Sequence, residues 1–283
     1  MNMIKISLFI ALFLISFSSF SQKRLVAELP DKLKEISGLT FLNDTVLIAH
    51  NDSGNDAEIY FLDLLGNKIH TVIIENAENK DWEDITIDQK GHIYIADIGN
   101  NNNMRKDLCV YKVNSKNILE KGSVKAEKIT FNYPEQIAYP PEGKDLHYDC
   151  EGMAYYKDSL YLFTKCRAEP FDGKTFCYSI PVKSGNYKAE KQFEYVIGKG
   201  GWWKDAVTGA EIKNDKCYLL TYDRLIIFSF KHKKLEYLQQ IGLGKISQKE
   251  AVAVNSLGHI FVADERHKVL GGGNLYRVKI PKK

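Results

Sequence analysis

The sequence predicts an all-β chain folded as a five-bladed β-propeller of four-stranded blades. Three observations carry this prediction. One hairpin pattern recurs five times, two further strand-like runs follow all but the last copy, and the run missing there is found near the other end of the chain. Composition agrees: Tyr (16) and Phe (14) are frequent while Met (4) is scarce, which suits β-sheet.

Taken in order, "MNMIK" is a short basic start, "ISLFIALFLISF" an apolar run too short to span a bilayer, and "SSFSQ" a set of small residues suited to cleavage. Residues 1–21 therefore read as a secretory signal peptide cut after Ser21, which puts the chain in the periplasm or outside the cell. Residues 22–283 then form a single propeller domain, and no later segment approaches the roughly 20 apolar residues of a membrane helix.

The hairpins are "EISGLTFLNDTVLIAHND", "DWEDITIDQKGHIYIAD", "DCEGMAYYKDSLYLFTK", "AVTGAEIKNDKCYLLTYD" and "QKEAVAVNSLGHIFVAD". Their central residues are Leu39, Ile85, Met153, Ala210 and Val252, spaced 46, 68, 57 and 42 apart, so insertions fall in loops while the unit stays constant. The further strands are "EIYFLDLL" and "KIHTVIIENA", "LCVYKV" and "KAEKITFNYP", "TFCYSIPV" and "KQFEYVIG", then "LIIFSF" and "LEYLQQIG". The fifth copy has only "NLYRVKI". The strand "KRLVAELP" is expected to complete its blade, with Arg24–Leu29 beside Tyr276–Ile280, closing the ring and removing an exposed edge. A six-bladed ring is the alternative, but it needs a unit not evident in the sequence.

A net charge of +3 with scattered basic residues gives no stripe for nucleic acid. The chain is expected to be monomeric. Five cysteines cannot all pair within one exported chain. Cys166 and Cys177 flank one loop and are candidates for a disulfide, Cys150 is a competing partner for Cys166, and five buried thiols are the alternative.

First-to-second-strand turns are short, whereas the opposite face carries long connections such as "IGNNNNMRKD", "RAEPFDGK" and "YPEQIAYPPEGKDLHY". Binding chemistry is expected on that face, at the mouth of the central channel. Two residues before each central position stand Ser37, Glu83, Glu151, Thr208 and Glu250. Twelve after it stand Asn51, Asp97, Lys165, Tyr222 and Asp264, with Asp52, Asp223 and Glu265 one later. Asp81 and Asp149 add an Asp-x-Glu pattern in two blades. Carboxylates gathered in a channel repel one another, and a hard divalent cation, with calcium first among candidates, is the usual relief. The competing reading is that such residues shape turns through local hydrogen bonds. Lys165 is a candidate counter-ion for Glu151. Trp202 and Trp203 are placed over the mouth, either to stack on a ring or to pack in the core. No His-Glu-x-x-His, Cys-x-x-Cys, Gly-x-Ser-x-Gly or phosphate loop is present.

Through "EISGLTF", "HNDSG", "DWEDI", "ADIGNN", "YDCEGMAY", "VTGAEI" and "KEAVAV" the chain resembles the bacterial exported propellers grouped near the esterase-like phytases and the SdiA-regulated proteins. More distantly it is similar to gluconolactonase-type propellers, which hold a divalent cation at the channel mouth and hydrolyse lactones. That likeness implies Glu83, Glu151 and Glu250, with Asn51, Asp97 and Asp264, as metal ligands. It departs in having five units and Lys165 at one equivalent position. Two functions are expected from these observations. One is an exported propeller binding a small molecule or a protein loop at its mouth. The other is a metal-dependent hydrolase of esters, lactones or phosphoesters, with Glu151, Asp97 and His50 as catalytic candidates.

Overall fold

A computed structural model describes residues 22–281; the expected signal peptide lies outside the described residues. The first element among the described residues is β1 (Lys23–Glu28). Blade 1 contains β2 (Ile36–Asn43), β3 (Val46–Asn51), β4 (Glu58–Asp63) and β5 (Lys68–Ile74). Blade 2 contains β6 (Trp82–Ile87), β7 (His92–Asp97), β8 (Cys109–Asn114) and, after the short β9 (Ser123–Val124), β10 (Glu127–Asn132). Blade 3 contains β11 (Asp149–Tyr156), β12 (Ser159–Lys165), β13 (Lys174–Pro181) and, after β14 (Gly185–Lys188), β15 (Glu190–Val196). A single helical turn, α1 (Trp202–Asp205), leads into blade 4: β16 (Gly209–Lys213), β17 (Lys216–Leu220), β18 (Arg224–Lys231) and β19 (Lys234–Gly242). Blade 5 contains β20 (Lys249–Val254), β21 (Ile260–Asp264) and β22 (Asn274–Val278).

Blade 5 is closed by β1, antiparallel to β22, with Lys23 opposite Val278, Leu25 opposite Tyr276 and Glu28 opposite Asn274. The structure is thus the expected five-bladed ring, with the closing strand within a residue or two of its expected position. Tight hairpins hold the blades in register. Lys157–Asp158 and Asn214–Asp215 both have positive φ at each residue, the twist of a two-residue turn that matches the twist of its strands.

Two short strands do something the repeats do not foretell. β9 runs parallel to β5 of the preceding blade, and β14 runs parallel to β10 of its preceding blade. Each covers an outer edge with backbone from the next blade, occupying donors and acceptors that would otherwise be free for another chain.

The core lies in five seams between blades, one of which joins blade 5 to blade 1 through Leu29, Leu33, Leu39, Phe41 and Phe261. The inner strands adjoin one another round the axis and are buried on both faces. They meet closely: a Cβ on Gly152 would fall 2.8 Å from the Ala210 Cβ. At this convergence Asp84 accepts N–H bonds from its neighbour Ile85 (2.8 Å), from Met153 of blade 3 (2.8 Å) and from Ala210 of blade 4 (3.2 Å). Ser37 donates to the Glu83 carbonyl at 2.9 Å, and Thr208 to the Lys249 carbonyl at 2.6 Å. Side chains thereby bond inner strands that have no shared ladder.

Deleting residues 22–30 is expected to strip the closing strand and Leu29, lowering the melting temperature by several degrees or causing aggregation. The milder Leu29→Ala should cost about 2–5 kcal/mol in denaturant titration. A truncated chain that melts like the full one would show that closure contributes nothing.

Candidate functional site

Four inner strands share one irregularity at the mouth. The pairing of β2 with β3 skips from Ile36 to Gly38, that of β6 with β7 from Trp82 to Asp84, that of β11 with β12 from Cys150 to Gly152, and that of β20 with β21 from Lys249 to Ala251. The skipped residues are Ser37, Glu83, Glu151 and Glu250. Each is the extra residue of a β-bulge, a device that re-aims a side chain out of the ladder. Four of the five expected strand-start positions are therefore bulge positions, while Thr208 precedes β16, whose pairing with β17 is regular.

Around them stand Asp52, Asp81 and Glu265. Carboxylate oxygens of Asp52, Asp81 and Glu83 lie within 4.8 Å of one another, and so do those of Asp52, Glu250 and Glu265. Asp52 belongs to both groups and joins them. Gly99 makes room for this convergence, because a Cβ there would collide with Glu83 Oε1 and Asp81 Oδ2. Glu265 Oε2 accepts from Gln248 at 3.0 Å, while its Oε1 is buried without a partner.

The other side of the mouth is cationic and aromatic. Lys165 Nζ stands 3.0 Å from Glu151 and 4.0 Å from Glu250. Arg167 bonds Asp149 at 2.6 Å and reaches Glu151 at 3.4 Å. Lys165 and Arg167 sit 5.1 and 5.3 Å from the centre of the Trp202 ring, within cation–π range. Tyr222 packs against Trp202, centroids 5.2 Å apart, and its hydroxyl donates to Glu250 at 3.1 Å. The Trp202 indole N–H is buried and unpartnered. Trp202 is therefore part of the mouth wall, while Trp203 beside it is exposed.

The electrostatics follow from burial. Burial and the Glu250 charge push the Asp52 carboxyl up to about 7, and burial and Asp149 push Asp81 up to about 6. Burial with Glu250 alongside raises Glu265 to about 11, and burial with Glu151 and Asp52 nearby drives Glu83 well above its ordinary value. Glu151 is also raised by burial, with Lys165 and Arg167 pulling against the shift. Burial works against the charge on Lys165, but Glu151, Tyr222 and Glu250 hold its ammonium protonated well above the usual range. Lys165 is the counter-ion that its position suggested.

Of the six expected ligands, Glu83 and Glu250 fall in the carboxylate groups, and Glu151 borders them while paired to Lys165 and Arg167. Asp97 is occupied by Arg105 at 2.9 Å and by the Asp81 N–H at 3.1 Å. Asp264 accepts from Ser247 at 2.5 Å, Tyr276 at 3.2 Å and the Asn274 N–H at 2.9 Å. Asn51 donates to the Lys32 carbonyl at 2.7 Å and keeps a buried carbonyl oxygen without a partner. His50 is fully buried, its Nδ1 3.0 Å from the Asn51 carbonyl and its ring edge-on to Trp82; burial lowers its pKa to about 4. Asp52 and Glu265, one residue beyond the expected strand-end set, come to the mouth instead, as the alternation of a strand requires. All five cysteines are free and buried, the reading without disulfides. Among the described residues no helix is long and apolar enough to cross a membrane.

No protein-family model matches the chain, and no curated protein matches its sequence. Solved structures do match its fold. The PQQ-bound aldose sugar dehydrogenase of Streptomyces coelicolor superposes with a TM-score of 0.54 at 10% identity, covering 90% of this chain and 96% of that one. A luciferin-regenerating enzyme gives 0.53 at 11% identity, covering 91% and 95%. A gluconolactonase of Xanthomonas campestris gives 0.45 at 11% identity, covering 83% and 69%. At such identities the likeness is one of fold. The chain is a β-propeller with a carboxylate-rich channel mouth.

Carboxyls whose folded pKa is raised bind more protons folded than unfolded between their ordinary values of 3.8 to 4.5 and their folded ones. Stability then falls as pH rises through that window. Metal-free protein should melt at a higher temperature at pH 5.5 than at pH 8 through the Asp52 and Asp81 contribution, and Asp52→Asn should flatten the slope. A slope unaltered by Asp52→Asn would place the titrating groups elsewhere.

Proposed function

We propose that the chain is an exported propeller whose mouth holds a hard divalent cation, calcium first among candidates, and uses it to bind an oxygen-rich small molecule or a partner's protein loop. The observation that carries this reading is the pair of carboxylate groups sharing Asp52. The donor set is all oxygen, and burial raises the pKa values of Asp52, Asp81, Glu83 and Glu265 within it, so added positive charge would relieve it. Such a set suits Ca²⁺, which accepts irregular shells of six to eight oxygens. Asp52 would be the shared ligand, with Asp81, Glu83, Glu250 and Glu265 round it; the unpartnered Glu265 oxygen fits that role. Asp97 and Asp264 would support the strand ends through their own hydrogen bonds.

A bound cation would supply a Lewis-acid contact for a ligand oxygen. The protein's own groups would do the rest. Trp202 and Tyr222 offer flat faces, the Trp202 indole offers a free donor, and Arg167 and Lys165 fix the position of Glu151. The resemblance to the phytase-like and SdiA-regulated exported propellers agrees with an extracytoplasmic binding role.

A second reading, a metal-dependent hydrolase of esters, lactones or phosphoesters, is favoured by one observation. Glu151 borders the candidate cation set without belonging to it, and burial raises its carboxyl above its ordinary value, the condition for proton exchange near neutral pH. Glu151 would then position or exchange a proton on the Lys165 side. His50, buried and engaged by the backbone, would serve the fold.

Calcium is expected to raise the melting temperature, by the equivalent of about 2.7 kcal/mol at 100 times its dissociation constant. Asp52→Asn and Glu83→Gln should abolish most of that gain, whereas Asp97→Asn should keep the response from its own lowered baseline. Equal calcium responses in Asp52→Asn and wild type would reject the site. A hydrolase screen with and without chelator separates the two readings. Turnover lost by about 10²–10⁴ in Glu151→Gln with metal retained would favour the enzyme.

A further inference from the structure

A second cluster of ligating side chains lies on blade 3, separate from the oxygen-only mouth. His147 precedes β11, Cys166 follows β12 and Asp172 precedes β13, so three strand ends of one blade deliver an imidazole, a thiol and a carboxylate to one place. One atom from each lies within 4.8 Å of the others. Asp172 is the hub: its Oδ1 accepts from Cys166 Sγ at 3.2 Å, and its Oδ2 stands 3.3 Å from His147 Nε2.

The three groups lie within reach of a single ion, the two Asp172 contacts falling on different carboxylate oxygens. With Zn–N and Zn–O near 2.0–2.1 Å and Zn–S near 2.3 Å, tetrahedral geometry spaces nitrogen from oxygen by about 3.3 Å and sulfur from oxygen by about 3.5 Å. The backbone fixes the three groups firmly. Arg167 N–H bonds the Leu146 carbonyl at 3.0 Å, and Lys174 N–H bonds Asp172 Oδ1 at 3.0 Å. The Phe176 ring packs against His147 with centroids 4.5 Å apart.

His147 is buried, and the contact of its Nε2 with Asp172 is the one polar engagement its ring makes, so the imidazole is committed to this cluster. Cys166 is buried as a free thiol. The Asp172 side chain is one-third exposed, leaving a path for the ion and a place for a water in the fourth position.

We infer that His147, Cys166 and Asp172 form a binding site for a zinc-class transition metal. A thiolate and an imidazole select a borderline-soft ion, whereas the mouth carboxylates select a hard one, so the two sites would discriminate between metals. Cys166 would release its thiol proton on binding, and affinity would therefore rise with pH.

The test uses the purified chain with calcium in excess to saturate the mouth. Equilibrium dialysis should find one zinc bound per chain, and Co²⁺ in its place should show a thiolate-to-cobalt charge-transfer band. Cys166→Ser should lose that band, and both Cys166→Ser and His147→Gln should weaken zinc binding at least by the 10–100-fold that an outer-shell change costs. Melting curves would check that the variants fold. Absence of zinc binding, a cobalt spectrum without the thiolate band, or unchanged zinc affinity in Cys166→Ser would each overturn the assignment. The wild-type spectrum decides even where a variant fails to fold.

Discussion

The mouth depends on one extra residue in each of four inner strands. Strands converging on a propeller axis have little room for side chains, as the approach of Gly152 to Ala210 shows. A regular ladder would alternate its residues between the two faces of each blade, where the seams are already filled by apolar side chains. The bulge breaks that alternation at Ser37, Glu83, Glu151 and Glu250, leaving each outside the pairing register at the channel end. Burial then does the electrostatic work: Glu83, Asp52 and Glu265, fixed in place and deprived of water, have their carboxyls raised together. An unconstrained loop would relax by moving them apart. Here Asp84, bonded to the amides of blades 3 and 4, helps hold the inner strands where they are.

This constraint explains which parts of the molecule were legible in the sequence. The hairpin recurs because each blade needs the same inner pair, so blade number, central residues and the closing strand could all be read from pattern. The strand-start glutamates were legible for the same reason. The bulge was not, since one extra residue leaves the pattern of types almost unchanged while altering which way side chains point. Asn51 and Asp264 stood out in the sequence because a fixed count from the central residue ends on them, although Asp52 and Glu265, one residue further on, carry the mouth. Arg167 was hidden differently, because it lies beyond a strand end in a loop where no period applies. β9 and β14 escaped because "SV" and "GNYK" are too short and polar to read as strands; only the neighbouring blade's open edge makes them so.

The ring is also unequal in a way that bears on its chemistry. Blades 1, 2 and 5 bring Asp52, Asp81, Glu83, Glu250 and Glu265. Blade 3 adds Lys165 and Arg167, and the approach to blade 4 adds Trp202, with Tyr222 beyond. Five similar blades carrying five carboxylates would repel round the whole mouth. Lys165 at one strand end offsets that repulsion at Glu151 and, from 4.0 Å, at Glu250, while Asp52, Asp81, Glu83 and Glu265 form no ion pair among the described residues. Glu151 sits at the divide, 3.0 Å from Lys165 and close enough to Glu83 to raise its pKa. A ligand entering such a mouth meets different chemistry on its two sides. Oxygen atoms would be drawn toward a cation held by the carboxylates, and a flat or apolar face toward Trp202 and Tyr222. The mouth thus specifies an orientation as well as a charge. That orientation comes from unequal strand ends on an otherwise repetitive scaffold, which is why the repeat fixes the fold while the exceptions to it define the chemistry.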